Sequence, residues 1–288
     1  MLNEIRVPAF AKVNLGLKVL PVRQDGFHNL ESIFQTVSLC DELTVVRKDG
    51  KGICSVSCDS MVLPEKNTLT TAYKSFCDVT GIDSFSVEVK LEKHIPAGGG
   101  LGGGSSDAAS LIMALEKMHG IKLTGKQLDA MASCVGSDVF FFAHCGKDGG
   151  CAVVTGRGEN VRMISKRTDL FFVLVFPAVH SSTKEAYALV DKLLNDGKEG
   201  EYPALEKLED IYNSPVSDWS FRNTFTPALE LKYPEVSRAL KSLEAAKPLY
   251  SEMSGSGSTI FGIYASLREA EEAAKILNDE GLKCVVTQ

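Results

Sequence analysis

The sequence predicts an α+β fold, and three observations carry that prediction. Strand-like alternation and helix-like periodicity are mixed along the chain, neither segregated nor strictly alternating. A glycine-rich segment, Gly98–Gly104, switches abruptly into a strongly patterned helix. With 288 residues the chain exceeds the usual single-domain size, so length admits one large domain or two. A boundary is expected near Ser165–Asp169, after the half that carries the glycine segment.

Val7–Leu20 reads as a strand, with Ala9, Ala11, Val13, Leu15, Leu17 and Val19 on one face and Phe10, Lys12, Asn14, Gly16 and Lys18 on the other. Leu30–Val46 is β-rich, with a break expected near Cys40–Asp41, and Ser84–Leu91 alternates as a further strand. From Ser105 to about His119, Ala108, Leu111, Ile112, Leu115 and Met118 recur at helical spacing. Thr124 and Gln127 form a capping box for a second helix to Val135, and Gly136 stops it. Ala152–Val154 and Leu170–Phe176 are expected strands; Lys184–Asn195 and Glu235–Ala246 are expected helices. Ile260–Tyr264, Leu267–Asn278 and Cys284–Thr287 read strand, helix, strand, and Asp196–Tyr202 is the least structured stretch.

A net charge of −6 argues against a nucleic-acid binder, which would need a basic face. No apolar run reaches the roughly 18 residues of a membrane span. The start MLNEIRVPAFAKVNLGL, broken by Glu4, Arg6 and Lys12, resembles neither a signal nor a transit peptide, so a cytoplasmic location is expected. Eight scattered cysteines contain no C-x-x-C pair, which points to reduced thiols rather than zinc ligands.

PAGGGLGGGSSDAAS is the strongest signal. Its glycines expose backbone N–H groups without Cβ interference, and Ser105 and Ser106 add hydroxyls where the helix begins. Free amides and the positive end of the helix dipole make this an anion site. It lacks the G-K-[ST] ending of a Walker A loop, and its place deep in the chain disfavours a dinucleotide fingerprint. Two charged residues stand out besides. Lys12 lies mid-strand among apolar residues, where an ammonium needs a partner or reaches out to solvent. Asp138 follows a helix stop in GSDVFFF, as a carboxylate to be sheltered by the apolar run or as a helix N-cap.

PAGGGLGGGSS, together with PAFAKVNLGL, DGFHNLESIFQTVSLCDEL, GSDVFFF and MSGSGSTIFGIY, resembles the ordered motifs of GHMP kinases, over nearly the whole chain. The resemblance is narrower still to the branch whose acceptor carries a cytidine diphosphate group, phosphorylated on its 2-hydroxyl in isoprenoid precursor biosynthesis. It implies a GHMP kinase fold, with a ribosomal protein S5 domain 2-like ATP-binding domain over residues 1–166 and a ferredoxin-like α/β domain over 167–288. It implies ATP with Mg2+, a loop serine being the candidate protein ligand, and a catalytic dyad of Lys12 and Asp138. Asp138 would accept the hydroxyl proton, and Lys12 would hold it ionised and oriented.

Asn14, Phe27, His28, Thr183 and Tyr187 are the implied substrate contacts, with cytosine between the Phe27 and Tyr187 rings and His28 reading its edge. On sequence alone both rings read as core residues rather than as a sandwich, since aromatics mostly fill interiors. Asn67, Lys93, Pro96, Ala97, Gly98, Gly99, Gly100, Leu101, Gly102, Gly103, Gly104, Ser105 and Ser106 are the implied nucleotide contacts. The family has tyrosine where Phe27 stands, and where it carries N-D-[FL]-E this chain has Asn223-Thr224-Phe225-Thr226, which makes that stretch structural. Kinases of homoserine, mevalonate or a sugar, and an inactive nucleotide-binding regulator, are the rival readings.

Overall fold

The computed structural model describes residues 2–50, 52–179, 181–197 and 200–288, so residues 198 and 199 of the expected unstructured stretch lie outside it. Two long strands, β1 (Glu4–Val22) and β2 (His28–Lys48), form an antiparallel hairpin. They are followed by β3 (Cys54–Cys58), α1 (Thr68–Thr80), β4 (Ser86–Glu92), α2 (Gly103–His119), α3 (Gly125–Val135), α4 (Ser137–Cys145), β5 (Cys151–Gly156) and β6 (Asn160–Ile164). Along one edge β2 pairs with β1; its other edge is shared between β4, at Glu42–Lys48, and β5, at Leu30–Gln35.

That division explains why β2 does not break near Cys40–Asp41. The β1–β2 ladder shifts between Phe10 and Lys12, where β2 passes from Cys40 to Thr36, so the strand bends at a bulge and continues. Asp41 reads as a breaker because a bare carboxylate is costly inside a sheet. Here it accepts from the His94 and Ile95 amides at 2.6 and 2.8 Å and pairs with Lys93.

The second half contains β7 (Phe171–Val175), α5 (Thr183–Asn195), α6 (Leu208–Asn213), α7 (Thr226–Lys232), α8 (Pro234–Ala245), β8 (Tyr250–Met253), β9 (Ile260–Tyr264), α9 (Leu267–Asp279) and β10 (Cys284–Thr287). Its sheet is antiparallel in the order β10-β7-β9-β8. Helical connections after β7 and β9 make this the ferredoxin-like arrangement.

Three apolar cores follow from the strand period of two. In the first half, Phe34, Phe76, Phe85, Leu111 and Phe141 pack between helices and sheet. In the second, Val173, Val175, Leu240 and Leu277 do the same. The alternate residues of β7 and β9, namely Phe172, Leu174, Phe261 and Ile263, meet Val13, Leu15, Ile33 and Val153 of the first sheet in a third core. Burial on both faces is why β7 reads as the unbroken run FFVLV. Among the described residues no helix is long and apolar enough to cross a membrane.

Candidate active site

The glycine loop runs from Pro96 into α2, whose N-cap is Gly102 in the left-handed conformation, φ 70°. Gly100 and Gly102 are among the loop positions that admit only glycine. A Cβ on Gly100 would stand 2.1 Å from the Ser254 carbonyl oxygen, and one on Gly102 would stand 2.9 Å from the Phe142 ring. Three backbone or hydroxyl bonds hold the loop open. The Lys12 amide donates to Leu101 O at 3.0 Å, the Thr259 amide to Gly99 O at 3.1 Å, and Ser254 Oγ to Gly100 O at 2.9 Å. The SGSGST turn between β8 and β9 therefore braces the glycine loop itself.

Beside the loop lies a cavity of about 370 Å³, lined by Asn67, Lys93, Pro96, Ala97, the glycines and Leu101 through to Ser105. Asn67 lines it while capping α1, its side chain accepting from the Leu69 and Thr70 amides at 3.0 Å each. Ser106 does not line it; that residue is buried in a separate depression with Pro8 and Ser110. Lys93 bridges Asp41 and Asp107, the latter at 3.1 Å. Burial, opposed by Lys93 and reinforced by Asp41, pushes the Asp107 carboxyl up to about 7.

A larger cleft of about 680 Å³ adjoins this cavity and shares Gly98, Gly100 and Gly102 with it. Lys12, Asn14, Phe27, His28, Asp138, Thr183 and Tyr187 all line the cleft. Lys12 does not snorkel: its side chain is 4% exposed, and Nζ donates to Asn14 Oδ1 at 2.6 Å and stands 3.5 Å from Asp138 Oδ2. Asn14 is fixed in turn by donating to Ser32 Oγ at 3.1 Å. Burial lowers the Lys12 ammonium from its ordinary range, with Asp138 pulling the other way. Asp138 is not the cap of α4. Gly136 holds that position with no side-chain bond, so the carboxylate, 32% exposed, stays open to the cleft.

At the other end, His28 Nδ1 donates to Leu20 O at 2.8 Å, and its Nε2 lies 3.3 Å from Asp191. Tyr187 stacks on His28, with centroids 5.0 Å apart, and meets Phe225 edge-on. Phe27, 48% exposed, instead lies under the Arg157 guanidinium at 3.7 Å. Thr183 Oγ1 is 3.1 Å from Ser256 Oγ. Arg157, Lys184, Asp191 and Phe225 also line the cleft, and sequence reasoning did not single them out for binding. Only Phe225 carried a signal, as an aromatic inside Asn223–Thr226.

Apart from Phe225, that stretch is structural. Asn223 Nδ2 donates to Met253 O and Gly255 O at 2.7 and 2.8 Å, and Thr224 Oγ1 accepts from the Val19 amide at 3.0 Å. Thr226, standing where the family has glutamate, donates to buried Glu252 at 2.5 Å, so β8 supplies a carboxylate there.

A glycine loop at a helix start, beside a cleft with a buried lysine and an open carboxylate, is the layout of a small-molecule phosphotransferase. The model of the GHMP kinases N terminal domain matches residues 67–146, and that of the GHMP kinases C terminal domain matches residues 203–283. A 4-diphosphocytidyl-2-C-methyl-D-erythritol kinase of Treponema pallidum is 37% identical, over 99% of this chain and 98% of its own. One from Chlorobium phaeobacteroides is 34% identical over 96% and 95%. The crystal structure of a 4-(cytidine 5'-diphospho)-2C-methyl-D-erythritol kinase superposes with a TM-score of 0.78 at 28% identity, covering 98% of this chain and 99% of that one. The chain belongs to the 4-diphosphocytidyl-2-C-methyl-D-erythritol kinase family of GHMP kinases.

Proposed function

We propose that the chain transfers the γ-phosphoryl group of ATP to the 2-hydroxyl of 4-diphosphocytidyl-2-C-methyl-D-erythritol. The observation that carries this is the position of Lys12 and Asp138 in the large cleft, which shares three loop glycines with the smaller cavity. ATP would lie in the smaller cavity with its phosphates on the loop amides and the dipole end of α2, and its γ-phosphate would reach the cleft. The acceptor would lie along the cleft, its base among Phe27, His28 and Tyr187 and its polyol at Asp138.

Asp138 then takes the hydroxyl proton as the oxygen–phosphorus bond forms and the bond to the β–γ bridging oxygen breaks, releasing ADP. Lys12, bonded to Asn14 and beside Asp138, orients the carboxylate and offsets charge on the transferred group. Asn14 and Thr183 would hold the polyol. Among the described residues no cluster of three His, Cys, Asp or Glu is placed to hold a metal alone. A magnesium ion carried by the ATP phosphates needs only one or two protein oxygens, and Ser105 in the loop cavity fits that demand. Such an ion would neutralise charge on the ATP phosphates.

Assignment of residues 1–166 to the ATP-binding domain and 167–288 to its companion is supported by the segment between β6, ending at Ile164, and β7, beginning at Phe171. Eight free thiols support a reducing, cytoplasmic setting.

The test is ADP release from ATP and magnesium, with the cytidyl substrate set beside homoserine and mevalonate. Turnover confined to the cytidyl substrate is expected. Turnover on another acceptor keeps the kinase and removes the base-binding reading, while ATP binding without turnover on any of them favours a regulator.

A further inference from the structure

We propose that Arg157 is the residue that grips the diphosphate of the acceptor, its guanidinium swinging there from the Phe27 ring on which it is stacked. This rests on the reading of the acceptor as a cytidine diphosphate conjugate. The cleft poses an electrostatic problem for such a ligand. Its walls carry the carboxylates of Asp138 and Asp191, and a diphosphate brings further negative charge into the same space. A cation must offset this, and Lys12 is committed: its ammonium is buried and holds Asn14 and Asp138. The remaining cations on the wall are Arg157 and Lys184, both exposed.

Arg157 has the better position. It sits in the turn between β5 and β6, and its guanidinium lies 3.7 Å over Phe27, at the base end of the cleft. Its charge also acts on the Tyr187 phenol, on which the Asp138 charge acts as well. Arg157 and Asp138 thus both stand near Tyr187 on the wall of one cleft, within which the base and the polyol would lie. In a cytidine diphosphate conjugate the diphosphate lies between those two parts. The Arg157 backbone is set by its amide, which donates to Glu159 Oε2 at 2.5 Å, so the side chain alone has to move. A guanidinium stacked on an exposed ring gives up little when it leaves, and a planar fork then meets phosphate oxygens two at a time.

The experiment is equilibrium binding of cytidine, CMP and CDP, without ATP, to the full chain and to Arg157→Met, Arg157→Lys and Lys184→Met. The expected result is that the unaltered chain prefers CDP to cytidine by about tenfold or more, as a charge-assisted contact implies. Arg157→Met should lose most of that preference while still binding cytidine, Arg157→Lys should regain part of it, and Lys184→Met should keep it. The KM for the cytidyl substrate should rise in Arg157→Met in step with the lost CDP affinity. If Arg157→Met keeps the CDP preference, or Lys184→Met loses it instead, Arg157 is not the diphosphate ligand. If cytidine and CDP weaken equally in Arg157→Met, the residue only covers the base, and the proposal is overturned. If the unaltered chain binds none of the three and turns over no cytidyl substrate, the acceptor reading fails first and this inference falls with it.

Discussion

At Asp107 a carboxylate is buried behind the phosphate loop with one oxygen on Lys93 and the other without a hydrogen-bond partner. One lysine there serves two carboxylates, Asp41 and Asp107, so one of the two holds a proton more readily than usual. Its carboxyl is raised to about 7 from an ordinary 3.8, so between those values the folded chain keeps a proton that the unfolded chain has released. The resulting stability is complete below the unfolded value and is lost as pH rises through 7. Asp107→Asn removes that proton equilibrium. Thermal melting of the nucleotide-free chain from pH 5 to pH 8 should therefore fall more steeply for the unaltered chain than for the variant; parallel curves would refute the assignment. Asp138→Asn acts on chemistry instead. It should cut kcat by about 10²–10⁴ with ATP affinity intact, because it removes a proton acceptor and leaves the loop untouched. Near-normal turnover would end the base role.

Among the elements, the glycine loop and the start of α2 separate glycines needed for shape from those that are not. Gly100, with φ 77° and the Ser254 carbonyl 2.1 Å from a built Cβ, has no room and the wrong dihedral for alanine. Gly104, inside the first turn of α2, would place its Cβ 3.6 Å from Thr68 Oγ1, an ordinary contact. Gly100→Ala should cost at least about 2 kcal/mol and raise the KM for ATP, while Gly104→Ala should gain up to about 1 kcal/mol of stability from helix propensity. Chemical denaturation of both variants checks the pair.

The same elements show what was legible beforehand. α3 was readable because the Thr124–Gln127 box is a local device, and both its bonds form. α1 was not, since TLTTAYKSFCDVT is rich in β-branched threonine; its signals lay in the caps, Asn67 and Gly81. β8 has only four residues and no period to read. Lys12 and Asn14 were visible as polar positions in an apolar strand. Their meeting with Asp138 depends on α4 packing behind α2, which no local spacing encodes and which only the family resemblance anticipated. Arg157 sits in a short hairpin turn, where an exposed arginine has no distinguishing pattern.

For the molecule as a whole, the third core decides whether the two halves move separately. Interfaces between domains are commonly polar and allow relative motion. Here Phe172, Leu174, Phe261 and Ile263 lie fully buried against Val13, Leu15 and Ile33, with Tyr212, Trp219 and Phe221 closing the side. The same β1 that carries Lys12 and Asn14 thus takes part in all three cores, through Ala9 in the first, Val13 and Leu15 in the shared one, and Leu17 and Val19 in the second. Separating the sheets would expose that apolar surface and disturb β1, and with it the position of Lys12 relative to Asp138, so the proposed site should depend on the halves staying together.

Trp219, the chain's one tryptophan, sits in the shared core and stacks on Tyr212 with centroids 5.9 Å apart, so its fluorescence reports on that interface. Urea unfolding followed by Trp219 fluorescence and by far-ultraviolet circular dichroism should give coincident, single transitions. Phe172→Ala or Phe261→Ala should shift both curves together by about 3–5 kcal/mol. A fluorescence change that precedes the loss of secondary structure would instead mean that the sheets part while each half stays folded, and the cleft would then be able to open at the shared core.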